Sequence, residues 1–165
     1  MLRRLMKALH ELGAIGVMGA LAAILVLSAT APTDSAAAYA AVRAGIAAIA
    51  EWLLVPSLLL VLASGLLAIA FTEAYKNAGW AWAKAVSGIV MFEGTLLTVG
   101  AGARRAAELS AAAAAGTLAD PAALAQVVRS EWGSLWLLLV LSLANVIVGV
   151  WRPRFTRRAS AASAD

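Results

Sequence analysis

The sequence predicts an all-α protein: a polytopic membrane four-helix bundle with both termini on the cytoplasmic side and helical extensions on the external side. Three observations carry this. Of the 165 residues, 63% are hydrophobic and only 13% charged, against about 25% charged in a soluble domain. The apolar residues gather into four runs, each near the roughly 20 residues that a spanning helix needs. The six tryptophans fall at the ends of those runs, where indole rings favour the headgroup region.

The runs cover about 9–29, 52–71, 82–100 and 132–151, within one transmembrane domain over 1–155. Residues 156–165 read as a basic, Ala/Ser-rich disordered tail close to anionic lipid. The first run follows Arg3, Arg4 and Lys7, and Ala29-Thr30-Ala31 resembles a signal-peptide cleavage site. Its apolar stretch of about 18 residues exceeds the 7–15 of a signal h-region, and Pro32 directly follows the would-be cut. It is therefore taken as a span.

After Pro32, Thr33 or Asp34 is placed to cap an alanine-rich helix that runs through Tyr39 and Ala47 into the second span. Pro56, early in that span, frees a carbonyl and can bend the helix. A short inner turn around Asn77-Ala78-Gly79 leads to span three, which is expected to continue through Glu108 to a stop near Gly116. Asp120-Pro121 then opens the last helix, with a capping side chain and a proline at the first helical position. Spans three and four thus project about 15–22 Å beyond the membrane.

Orientation follows from lysine and arginine placement. The amino end (Arg3, Arg4, Lys7), the middle loop (Lys76, Lys84) and the tail (Arg152, Arg154, Arg157, Arg158) hold nine of them. The other two loops hold Arg43, Arg104, Arg105 and Arg129. Cytoplasmic loops carry the excess, so both ends belong inside a bacterial-type inner membrane. The net charge of +4 is used for membrane anchoring, with the lipid bilayer rather than nucleic acid as partner.

Chemistry is sparse. The absence of cysteine excludes disulfides, thiolate metal sites and cysteine nucleophiles. The single histidine, His10, excludes a His-rich metal cluster. No phosphate loop, nucleophile elbow or zinc motif is present, and no catalytic residue can be named.

Glu93 is the sharpest signal. It lies ten residues into span three, about 15 Å from the inner edge of a core roughly 30 Å thick. Ionised, it costs at least about 2.5–3.5 kcal/mol there. Such residues usually face the bundle interior, and Ser64, Ser142 and Asn145 fall near the same depth. A buried polar cluster of these four is expected, either as a clasp between helices or as a proton, ion or quinone site. His10, at the inner edge of span one, can serve as an interfacial polar residue, a proton carrier or an axial haem ligand. Haem b in membrane bundles usually takes two axial ligands, and for the second Met6, Met18, Met91 or the His10 of a second copy are available. The face formed by Gly13, Gly16, Ala20 and Ala23, with the second small pair Gly19/Ala23, is expected to pack on a neighbouring helix. Ser134, Ser142, Asn145, Gly149 and Arg152 form a comparable face in span four.

The opening Lys7-Ala8-Leu9-His10-Glu11-Leu12-Gly13-Ala14, the Ser64-Gly65 pair, and Trp82-x-Lys84 leading to Phe92-Glu93-Gly94-Thr95 resemble a small four-helix integral membrane family of unknown function. That family is distantly similar to copper-resistance-D-type proteins and to HemJ-type protoporphyrinogen oxidases. The resemblance implies the four-helix fold, and through the oxidase branch it implies haem b on His10. Two readings follow. One is an inner-membrane bundle that self-associates or serves a membrane partner, the other a haem-dependent membrane redox protein.

Overall fold

The computed structural model describes residues 2–76 and 78–151. The basic tail beyond Trp151, including Arg152, lies outside the described residues. The described residues are helical with short connections: α1 (Leu2–Thr30), α2 (Ala36–Ile49), a π turn (Ala50–Leu54), α3 (Val55–Phe71), α4 (Glu73–Lys76), α5 (Gly79–Gly94), a second π turn (Thr95–Gly100), α6 (Ala101–Ala114) and α7 (Pro121–Trp151). The π turns interrupt no chain, so α2–α3 and α5–α6 are each one continuous rod of 36 residues. With α1 and α7 they make four helices long and apolar enough to cross a membrane among the described residues, as expected from the four runs.

The ends form as local chemistry dictates. Asp120 Oδ1 accepts from the Ala122 amide at 2.9 Å, and Pro121 opens α7. Gly116, at φ 71°, ends α6 in a left-handed turn that suits glycine. There the Thr117 amide donates to the Ala112 carbonyl at 2.9 Å and the Gly116 amide to Ala113 at 3.1 Å. The cap of α2 is a correction. Ser35, not Thr33 or Asp34, has the extended backbone, and its side chain accepts from the Ala38 amide. The first π turn ends two positions before Pro56, with Val55 between. Proline lacks an amide proton and its ring crowds the carbonyl four residues back. The wider turn, with Val55 N–H bonded to Ala50 O, makes room for both.

Two zones result. In the membrane zone α1 packs on α3, α3 on α5, and α5 on α7, with α7 also touching α1. Beyond it, α2, α6 and the first half of α7 form a second packed zone, the head. A core of Val17, Leu21, Ile24, Ile46, Leu54 and Leu135 joins the two.

The helix contacts also set depth. A Cβ built on Gly13 would meet Val61, and one on Gly88 would meet Leu62. Gly13, Leu62 and Gly88 therefore share one level. At 1.5 Å per residue, Trp82 is about 9 Å to one side of it and Trp52 about 15 Å to the other. The apolar band between these rings is thus about 24 Å deep, close to a bilayer core.

Candidate functional site

Small residues bring α1 onto α3. Gly13 sits against Ser57 and Val61, and Gly16 against the Ser57 side chain. Ala20 is fully buried and Ala23 half-buried. Gly19 differs from expectation: it is exposed, and nothing lies within 4 Å of where its Cβ would be. It stands 100° from Ala20 on the helix, which turns it out of the contact.

One turn inward from Gly13, the His10 ring lies over Gly65, whose absent side chain leaves space for the imidazole. His10 Nδ1 is 3.1 Å from both the Val61 carbonyl and Ser64 Oγ. Ser64 Oγ gives its own proton to the Leu60 carbonyl at 2.6 Å. Both neighbours of Nδ1 can then only accept, so Nδ1 carries a proton. Ser64 is thus a partner of His10 rather than of Glu93.

Across the bundle, Ser87 Oγ donates to Asn145 Oδ1 at 2.9 Å, and Asn145 Nδ2 donates to the Leu141 carbonyl and to Met91 Sδ. Ser142 is buried, its hydroxyl without a partner among the described residues. Ser87 was not singled out from the sequence. Its position three residues after Lys84, on a helix of small and apolar residues, gave little signal.

The expected four-residue cluster is not assembled. Glu93 is exposed and has no partner among the described residues. Its neighbours Met91 and Thr95 are buried. At 100° per residue a position two away lies on nearly the opposite side, so the face that buries Met91 and Thr95 turns Glu93 outward. Val86, Val90 and Leu97 share its exposed face, at 58%, 56% and 76% exposure. Its depth remains inside the apolar band, about 8 Å beyond the Gly88 level and 16 Å from Trp82.

The most deeply buried charges lie in the head. Arg43 of α2 and Glu131 of α7 form a salt bridge with both side chains only 1% exposed. Ser110, Ala103 and Ala106 of α6 are buried beside α2. Neither charged residue was selected from the sequence. The available signal was a pair of opposite charges on otherwise small or apolar helix faces, before Trp52 and Trp132 in the chain.

Within one chain no second axial ligand for a haem comes opposite His10 among the described residues. Axial ligands must approach a porphyrin from opposite sides, and Met6 and Met18 lie on the same helix as His10. Met91 is buried in the core and held by Asn145. An open, apolar groove is lined by Trp82, Val86, Val90 and Leu141 with Ala83 and Ser87, and His10 is not part of it. No group of three or more His, Asp or Glu side chains that could hold a metal occurs among the described residues.

Comparison with family models, with curated proteins and with solved structures finds no match for this chain. Function has to be argued from the geometry. The bundle's interior polar groups largely join helices, whereas its mid-membrane carboxyl faces out.

Proposed function

We propose that this chain is a multi-pass protein of a bacterial-type inner membrane, with both termini cytoplasmic, and that it acts by assembling laterally with itself or another membrane protein. The observation that carries this reading is the outward-facing Glu93. A carboxyl in hydrocarbon is expensive, and such residues ordinarily pair within protein. His10–Ser64, Ser87–Asn145 and Arg43–Glu131 pair with one another inside the chain, so they supply clasps between helices. Glu93 needs a second surface.

Assembly is tested by the mass of the particle released from native membranes in mild detergent or lipid nanodiscs. A particle clearly heavier than one 16.9 kDa chain is expected, once the lipid or detergent belt is subtracted. A single chain at all protein-to-lipid ratios sinks the assembly reading. Orientation is tested by reporter fusions after Asp165 and within 117–120. The first is expected to be active in the cytoplasm and the second outside. The reverse pattern overturns the topology.

A further inference from the structure

We propose that Glu93 pairs with Glu93 of a second copy of this chain, forming a parallel two-fold dimer through the outer face of α5. This rests on the assembly reading and names its partner.

Insertion in a membrane gives every copy the same orientation, so equally numbered residues lie at equal depth. Two copies can meet Glu93 only with groups exposed near its own level. Among the described residues, the exposed side chains with polar atoms in the apolar band around that depth are Glu93 and, further out, Thr98 and the indole of Trp136. The Thr98 hydroxyl already donates to the Gly94 carbonyl at 2.6 Å. The Trp136 indole offers one donor and no acceptor, so a second Glu93 is the group that can both give and take a hydrogen bond there.

A two-fold axis along the membrane normal brings identical residues face to face. A protonated carboxyl is self-complementary, because each O–H can donate to the carbonyl oxygen of the other. Two reciprocal hydrogen bonds then satisfy both groups with no net charge. A carboxyl has no comparable solution against lipid tails, which supply neither donors nor acceptors. Backbone approach is also provided for. Gly94, next to Glu93, has nothing within 4 Å of where its Cβ would be. Val86 and Val90 beside it are β-branched, with few rotamers to lose on contact. The groove between α5 and Leu141 of α7 can receive an apolar side chain of the second copy.

The cysteine-free chain allows a direct test by oxidative cross-linking of single-cysteine variants in native membranes. Val90→Cys and Leu97→Cys are expected to form disulfide dimers. Ile15→Cys on α1 is 70% exposed, at comparable depth but diagonally across the bundle, and is expected to stay monomeric. Adding Glu93→Leu to Val90→Cys should lower dimer yield about tenfold, the scale of two interhelical hydrogen bonds in a bilayer. Adding Glu93→Gln should preserve it, because paired amides also bond reciprocally. Helical content and thermal unfolding of Glu93→Leu should match the parent, since the side chain is exposed within one chain. Cross-linking at Ile15 but not at Val90 would overturn the proposal, as would a Val90 yield insensitive to Glu93→Leu. A heavy native particle without any Val90 cross-link would also overturn it, while leaving assembly with a different protein standing. A monomeric particle would remove both.

Discussion

Replacing Arg43 with methionine while Glu131 remains is expected to destabilise the protein by about 3–5 kcal/mol, the cost of leaving one charge buried without its partner. Glu131→Leu with Arg43 retained should fail to a similar extent. The double variant Arg43→Met/Glu131→Leu should recover most of the loss. Apolar residues of similar volume often replace a buried ion pair at little or no cost. Recovery is all the more expected because Glu131 Oε1 and Arg43 Nε have no hydrogen-bond partner among the described residues, and unsatisfied buried groups carry a penalty of their own. Chemical unfolding in detergent micelles, followed by circular dichroism, provides the measurement. Single variants as stable as the parent would show that the two side chains are not paired in a dry interior.

The location makes this effect large. The head is built mostly from alanine, and alanine buries little apolar area per residue. Small side chains at Ala103, Ala106 and Ser110 let α6 lie close to α2, and the ion pair ties α2 to α7. Register among three alanine-rich helices is weakly specified by shape alone. A single matched pair of opposite charges can set it, as buried polar residues do in coiled coils.

What the sequence revealed, and what it concealed, separates along a physical line. The four spans, the stop at Gly116 and the Asp120-Pro121 start are local or one-dimensional properties: run length, a positive φ, a capping side chain. Depth is likewise a matter of counting residues, and Glu93 does lie within the apolar band. Its direction could not be counted. A soluble helix marks its buried side with an apolar stripe, but a spanning helix is apolar all round. Val90 faces out and Met91 faces in, and nothing in their hydropathy separates them. Only the packing of α5 on α3 and α7 settles which way Glu93 points. The Arg43–Glu131 pair was concealed for a different reason. It joins residues 88 positions apart, and both lie outside the apolar runs. Ser64 shows the middle case: it is buried between helices as expected, but it lies about 10 Å inward of Glu93, and its partner is His10 across the α1–α3 contact.

That contact provides the second large effect. Gly13→Ala is expected to cost about 1–3 kcal/mol, the range for forcing extra volume into a filled interface. The added Cβ would lie 2.9 Å from the Ser57 carbonyl oxygen and 3.0 Å from the Val61 amide nitrogen. These are backbone atoms, so α3 must move as a whole. The shift should also loosen His10 from Val61 and Ser64, one turn away. At Gly16 the obstruction is different in kind. The added Cβ would meet only Oγ and Cβ of Ser57, so Gly16→Ala should be destabilising alone and rescued by Ser57→Gly. No side-chain truncation on α3 should rescue Gly13→Ala. Gly19→Ala, with open space around it, should be neutral or slightly stabilising, because alanine is the better helix former. Thermal or denaturant unfolding of the four variants in one lipid or detergent system makes the comparison. Helices in a bilayer are held by close packing and hydrogen bonds, with little hydrophobic drive between them. A gap of a few tenths of an ångström opened along α1 and α3 therefore forfeits much of what holds them. If Gly13→Ala unfolds no more readily than Gly19→Ala, α1 does not rest on α3 through this face.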